Sequence, residues 1–392
     1  MPTHVLILGA GFGGLELAAR LSASGDPSLH VTLVDQGDAF VFGFAKLDVL
    51  FGRRTLDEVK CRYRDVTMPG VEFRQERVTS IEPATREVVT DRATYQPDVL
   101  VVALGATYQP AATPGFVEDG FEFYSLAGAE RLRRQLAAFT GGQIIIAILR
   151  VPFKCPPAPY ESAFLLHEYL LERGLRDASS IELITPMDSP IPVSPATSEA
   201  IVAALAERGI RYTPRHRVRE LDPAAHLARL KDETRRYDLF IGIPAHRVPT
   251  VVEESGLTAA GTDGWIAVDR RTLATPHPNV YAIGDCADAP VPRAGVFAET
   301  AARTVAEHIR ATIHGGPAAT YSGQGSCYIE FGSGRVGKVD ADFLSGPAPT
   351  APFFGPSLEL AAEKAEFAAS RIRRWFAAST PRRQAKPEMV QP

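Results

Sequence analysis

The stretch HVLILGAGFGGLELAARLSASGDPSLHVTLVD (residues 4–35) reads as strand, glycine turn, helix and second strand, ending in an acid. The apolar run at 4–8 has the make-up of a buried parallel strand, and a helix through Leu17, Ala18 and Leu21 stops at Gly25. Between them, Gly9-Ala10-Gly11-Phe12-Gly13-Gly14 forms a dinucleotide cradle. Gly9 serves the tight turn, Gly11 the close approach of backbone N–H groups to a pyrophosphate, and Gly14 the packing of helix on strand. Asp35, after the strand at 30–34, is placed for ribose hydroxyls. Its charge disfavours a 2′-phosphate, so the ligand is FAD or NAD rather than NADP. A plain packing turn would require neither the flanking strands nor the acid.

A second unit of the same form, QIIIAILRVPFKCPPAPYESAFLLHEYLLERG (143–174), departs from that pattern at its turn. The run 143–149 reads as a buried strand, and 159–173 as a helix with Phe164, Leu166, Leu170 and Leu171 on one face, closed by Gly174. The turn between them, Arg-Val-Pro-Phe-Lys-Cys-Pro-Pro, has no glycine, so it cannot cradle a phosphate. Cys155 takes that place, just ahead of a helix whose first position is Pro159, where the helix dipole favours a reactive thiolate. The alternative is a small buried hydrophobe. Downstream, 180–185 reads as a strand and 198–208 as a helix, and Thr185-Pro-Met-Asp188 is a poor substitute for the acid of an NADH site. NADH is therefore not the expected donor.

At about 100 to 200 residues per domain, 392 residues imply two or three units. Near-balanced charge, 42 basic against 46 acidic residues, carries no electrostatic case for nucleic acid. The first residues lead straight into a strand with no secretion signal, so the expected location is cytoplasmic. No apolar run approaches the roughly 18 residues that a membrane span needs, which leaves peripheral attachment as the membrane option. Cys61, Cys155, Cys286 and Cys327 show no CxxC spacing, and the nine histidines show no metal pattern. In a reducing compartment a disulfide would be catalytic.

Further along, 98–104 is a strand reaching Gly105-Ala106-Thr107, and 278–282 leads into Gly284-Asp285. Asp285 alone could be an ordinary turn or cap residue. Beyond Gly316, 326–331 and 335–340 read as paired strands joined at Gly332-Ser-Gly334, with Cys327 opening the first. A proline and glycine run (345–356) precedes a helix over 358–376 capped by Ser357. Its stripe is Leu358, Ala361, Ala365, Ala368, Ile372 and Phe376, and it ends in Arg371, Arg373, Arg374 and Trp375. It would lie on an anionic membrane surface or dock on its own domain. The tail from Ser379 reads as disordered.

The N-terminal loop together with Gly284-Asp285 resembles the flavoprotein disulfide reductase superfamily, in which that aspartate holds the ribitol of FAD. Adding Lys154-Cys-Pro-Pro-Ala-Pro-Tyr-Glu161, Val291-Pro-Arg-Ala-Gly295 and a late cysteine, nearly the whole chain resembles the sulfide:quinone oxidoreductase and flavocytochrome c sulfide dehydrogenase family. The implied fold is α/β. It comprises a split FAD domain (1–109 and 265–316), an inserted NAD-like domain (110–264) and a C-terminal strand-and-helix region (317–392). The resemblance implies that Cys155 and Cys327 meet over the flavin. There hydrosulfide attacks their disulfide, leaving a persulfide and a thiolate that reduces the flavin, and the electrons pass to quinone or cytochrome.

Glu161 matches an acid that could relay protons, although a first-turn glutamate is also favoured by the dipole alone. Arg293 stands where the family commonly has a lysine near the flavin pyrimidine. The cofactor contacts implied are Gly9, Ala10, Gly11, Phe12, Gly13, Gly14, Asp35, Gly105, Ala106, Gly284, Asp285, Arg293 and Gly295. Three departures from the family stand out. No third cysteine occurs in 121–126, no histidines lie near 186–195, and no cysteine is placed to bond FAD, so FAD is expected to be noncovalent. Cys61 and Cys286 read as structural thiols. The expected acceptor is membrane quinone reached through the C-terminal helix, with Phe353 and Phe354, or Tyr328 and Phe331, as a slot. The competing functions are a type II NADH:quinone oxidoreductase and a flavin-binding redox sensor without turnover.

Overall fold

The protein is described by a computed structural model covering residues 2–258 and 261–376. The first sheet is built around the glycine loop from Thr3–Leu8 (β1), Leu29–Asp35 (β2), Val71–Gln75 (β3) and Val99–Val102 (β4), with Phe12–Ala23 (α1) after the loop. Val5 to Leu8 are fully buried, as a strand covered on both faces requires. The inserted unit supplies Gly120–Phe121 (β5), Gly142–Ile148 (β6), Ala158–Glu172 (α2), Ser179–Ile184 (β7), Pro195–Glu207 (α3), Arg211–Thr213 (β8) and Leu239–Ile243 (β9). Val280–Ala282 (β10) then returns to the first sheet, whose order is β10-β4-β1-β2-β3, all parallel. The second sheet, β5-β9-β6-β7-β8, is also parallel throughout. Gly295–His314 (α4) packs on α1. Each parallel sheet turns the carboxyl ends of its strands, and so its functional turns, toward one crevice.

The C-terminal region is an antiparallel sheet of Gln324–Gly332 (β11), Arg335–Asp342 (β12) and Phe353–Ser357 (β13), followed by Glu359–Trp375 (α5). Strand β13 lies inside the run expected to be a loop. It is an edge strand, and Pro356 falls in the register shift between its Val336–Ser357 and Lys338–Phe354 pairs, where a missing N–H is tolerated. Pleating separates the two phenylalanines proposed as a slot: Phe353 packs near Phe331 with centroids 6.0 Å apart, whereas Phe354 is 47 % exposed. Phe331 stacks on Phe164 at 5.2 Å and belongs to the core.

Helix α5 is docked on the protein, the second of the two readings of its basic end. Trp375 is fully buried between Phe12, Phe40 and Phe42, and its Nε1 donates to Glu16 at 2.9 Å. Arg371 and Arg374 pair with Glu299 and Glu16, both buried, at 2.6 to 3.1 Å. The packed face runs through Lys364, Phe367, Arg371 and Trp375 and takes in Ala368, Ile372 and Phe376 of the expected stripe, while Leu358 at its start is 62 % exposed. Aromatic area and paired charges outweigh a row of alanines that has little surface to bury. The start is shifted slightly: Leu358 is the N-cap, and the Ser357 hydroxyl accepts from the Leu360 amide at 3.3 Å. No helix among the described residues is long and apolar enough to cross a membrane. The expectation for the tail from Ser379 falls outside the described residues.

Candidate active site

The glycine loop has one face against the protein and one face open. Gly9 adopts φ +101°, and a Cβ there would lie 2.4 Å from the Ala103 carbonyl oxygen. A Cβ on Gly14 would lie 1.8 Å from the Gly9 oxygen, so helix packs on turn only with glycine at that position. Gly11 meets nothing within 4 Å: its open side faces a cavity of about 730 Å³. Asp35 closes the far end, accepting from Ala10 N at 2.8 Å and Gly37 N at 2.7 Å, with a lone pair to spare on each oxygen. Tyr63, unnoticed in the sequence, donates its hydroxyl to the Ala10 carbonyl at 2.8 Å. Gly9, Gly11, Phe12, Gly13, Asp35, Gly105, Ala106, Gly284, Asp285, Arg293 and Gly295 line this cavity, while Ala10 and Gly14 lie behind its wall. An elongated cavity with a bare backbone at a helix N-terminus fits a dinucleotide.

Cys155, Glu161 and Cys327 line the same cavity. Cys155 sits at the end of the β6–α2 turn with φ 51°, an uncommon conformation for a side-chain-bearing residue. It is held there by its own N–H to the Arg293 carbonyl at 2.7 Å and by the Ala158 N–H to its carbonyl at 3.0 Å. Tyr124 adds a hydroxyl contact to that carbonyl at 3.4 Å. Cys327 comes from β11, and all four cysteines are unbridged. Against the direction expected from the helix dipole, burial, with Glu161 and Cys327 beside it, pushes the Cys155 thiol well above its ordinary range, while Lys364 and the Ala158 amide pull the other way. Burial likewise pushes Cys327 up to about 12. Cys286 is fully buried, with its sulfur 3.4 Å from the Val102 carbonyl and 3.3 Å from that of Ile283, remote from thiol chemistry.

Glu161 is 2 % exposed, and burial pushes its carboxyl up to about 7 against the pull of Lys364. Its Oε1 accepts from the Glu330 amide at 2.9 Å and lies 3.8 Å from Lys364 Nζ. A buried acid titrating near neutrality beside two thiols can take and return their protons.

A family model described as pyridine nucleotide-disulphide oxidoreductase matches residues 3–149 and 163–314. The chain belongs to that family. Among members of this pyridine nucleotide-disulphide oxidoreductase family, it is 26 % identical over 369 residues to a mitochondrial sulfide:quinone oxidoreductase of Mus musculus, covering 89 % of this chain and 80 % of that one. It is also 26 % identical over 323 residues to the alternative NAD(P)H-ubiquinone oxidoreductase C1 of Arabidopsis thaliana, covering 72 % and 61 %. Among solved structures, the sulfide:quinone oxidoreductase of Aquifex aeolicus superposes with TM-score 0.83 at 22 % identity over 96 % of this chain and 93 % of that one. NDH2 of Plasmodium falciparum superposes with TM-score 0.74 at 13 % identity over 96 % and 97 %. These superpositions establish the α/β fold with its parallel sheets. The protein is thus a flavin-dependent oxidoreductase of the pyridine nucleotide-disulphide family.

The end of the cavity near Asp285 is ringed by cations, two of which the sequence reading left without a role. Lys46 lines the cavity from the short helix Ala45–Leu50, and burial together with the nearby Lys154 charge pulls its amine down to about 8. Lys154 donates to the Ala106 carbonyl at 3.0 Å and sits 4.5 Å over the Tyr108 ring. Arg293 lies 3.6 Å over the Trp265 ring and donates to the Asp285 carbonyl at 3.2 Å, so its charge is anchored rather than free to swing. Burial raises the Asp285 carboxyl, with these cations opposing. Glu330 and Lys364 are further residues that went unnoticed. One signal was available: Lys364, Phe367 and Arg371 recur at helical spacing, so the lysine shares the packed face of α5.

Proposed function

We propose that this protein is an FAD enzyme oxidising sulfide or a related small thiol to sulfane sulfur through Cys155 and Cys327, with quinone as electron acceptor. The single observation that carries this reading is that two cysteines distant in sequence line one cavity with the glycine loop, Asp285 and a buried acid titrating near neutrality. FAD would be held noncovalently, its pyrophosphate at Gly9 to Gly14, a ribose at Asp35 and its ribitol at Asp285. Residues 1–109 and 265–316 would form its domain, with 110–264 as the thiol-bearing insert. When bound, the flavin takes two electrons from the thiol pair and hands them to the acceptor.

The rest is the work of side chains. With the pair oxidised, the donor sulfur bonds to one cysteine sulfur as the Cys155–Cys327 bond breaks, leaving a persulfide and a thiolate. A second hydrosulfide or small thiol then takes the outer sulfur as the S–S bond of the persulfide breaks, leaving the two cysteines reduced and ready to give up two electrons. Hydrosulfide is already largely ionised near neutral pH, so access and a stabilised leaving thiolate matter more than a base. Glu161 holds or releases the thiol proton. Lys46, Lys154 and Arg293 supply positive charge for an anionic reduced ring. Quinone would approach from a membrane surface along the Tyr328 and Phe367 wall of the cavity, whose rings lie 5.5 Å apart.

The likeness to the Arabidopsis and Plasmodium proteins keeps NADH oxidation as the second reading; the glycine-free turn at 150–157 opposes it. Anaerobic mixing separates the two. Sulfide is expected to bleach the flavin at once and NADH slowly, and Cys155→Ser or Cys327→Ser should abolish sulfide bleaching while FAD stays bound. Rapid bleaching by NADH, or sulfide bleaching retained in both variants, would overturn the reading.

A further inference from the structure

A second cavity, a groove of about 1180 Å³, opens on the other side of the wall that holds Glu161. Asp48, Arg53, Glu330 and Lys364 line it, and Phe44 lines both cavities. Between the two runs a continuous line of charged groups. Glu161 Oε1 lies 3.8 Å from Lys364 Nζ, which is 2.6 Å from Glu330 Oε1. The other Glu330 oxygen is 2.8 Å from Arg53, which is 3.6 Å from Asp48. Side-chain exposure rises from 2 % at Glu161 through 9 % at Lys364 and 16 % at Glu330 to 39 % at Arg53, with Asp48 beside it at 21 %.

We propose that the Lys364–Glu330 pair is the conduit through which Glu161 exchanges its proton with water in this groove, so that protons and the sulfur donor use separate mouths. The proposal rests on the reading that Glu161 serves the thiol pair. When Cys155 or Cys327 ionises, its S–H proton moves to the Glu161 carboxylate, leaving a thiolate and a carboxylic acid. The acid passes that proton to Lys364 as Lys364 passes one of its own to Glu330. Glu330 releases it to water in the groove, and the ammonium is unchanged. Phe44, with its ring 4.7 Å from Lys364 Nζ, seals the wall beside the conduit while the cation is held over its face.

The groups facing Glu161 set the direction of each test. Cys155 stands before its helix, Cys327 and Glu330 come from β11, Lys364 from α5, and Arg53 from the segment after the Ala45–Leu50 helix. Tyr124 also senses its charge. The Glu330 charge raises the proton affinity of Glu161, and Lys364 and Arg53 lower it.

The experiment is an infrared titration of the full chain, following the carboxylic-acid band that Glu161→Gln removes, and its rate of deuterium exchange. Glu330→Gln is expected to move the titration to lower pH and Lys364→Met to higher pH. Exchange should slow about 10²-fold in both, the lower end of what a positioned proton carrier contributes. Arg53→Gln, at the groove mouth, supplies a further variant if Lys364→Met fails to fold, with a shift to higher pH expected. Wild-type exchange rates, or shifts of one common sign, would overturn the conduit. The band requires no donor: opposed shifts in a chain that sulfide does not bleach would remove the sulfide reading alone, and sulfide bleaching without the shifts would remove the conduit alone.

Discussion

Gly11 and Gly14 are the same residue type three positions apart, yet the structure assigns them opposite duties. A Cβ on Gly14 would strike backbone 1.8 Å away, whereas one on Gly11 would enter open space. Gly14→Ala is therefore expected to cost roughly 1–3 kcal/mol or more as the turn shifts to relieve the overlap. Gly11→Ala should leave the apo-protein within about 0.5 kcal/mol, as a substitution without a packing conflict does, and still weaken FAD retention. Urea unfolding of both apo-variants beside a flavin-retention assay checks the contrast; equal stability losses would refute it. Cys155 is the other residue whose backbone matters. Its left-handed conformation is maintained by Arg293 and Ala158, so the turn holds the thiol in place by hydrogen bonds rather than by activating it.

Helix α5 shows how a segment acquires a role from its neighbours. Its last turn inserts Trp375 among three phenylalanines and meets two buried glutamates with two arginines, and its middle sends Lys364 toward the thiols. Trp375→Ala should destabilise the protein by about 3–5 kcal/mol through the cavity it leaves, and should leave Glu16 without one of its donors. The unfolding midpoint in urea reads the loss; a change under about 1 kcal/mol would mean that the helix is only loosely attached. Strand β13 follows similar logic. Local composition predicts a loop, but the free edge of β12 offers backbone partners that a proline-containing edge strand can accept.

Over the molecule as a whole, burying ionisable groups around the thiols costs stability in a direction that can be worked out. The folded Glu161 carboxyl is raised from 4.5 to about 7, so between those values the folded state binds a proton that the unfolded chain has released. Stability accordingly falls as pH rises through that window. The penalty is absent below about 4.5 and complete above about 7, and the raised thiols add a further loss at alkaline pH. Glu161→Gln should flatten the pH 4.5–7 part of the curve, measured as urea midpoints of the apo-protein. An unchanged slope would mean that Glu161 is ionised at neutral pH. The burial serves the proposed chemistry, because a carboxyl that titrates near neutrality can move protons where an exposed one would stay ionised.

Much of this protein is written locally. The glycine spacing, the apolar runs of buried strands and the helical periods of α1 and α2 arise from interactions between near neighbours, so the central strands of both parallel sheets and the open cradle at Gly11 could be read from the order of residues, whereas the strands at 71–75, 120–121, 211–213 and 239–243 could not. Cys155 stood out for the same reason, as the residue occupying a turn that glycine would otherwise fill. Three features depended on the tertiary structure: the opening of Cys155 and Cys327 onto one cavity, the cations Lys46 and Lys364 near it, and the inward face of α5. Each joins segments whose approach is set by packing, and burial then determines whether a charge is paired, a thiol ionises or a carboxyl keeps its proton. A residue's neighbours in sequence constrain its backbone, but its pKa answers to whatever the fold brings within a few ångströms.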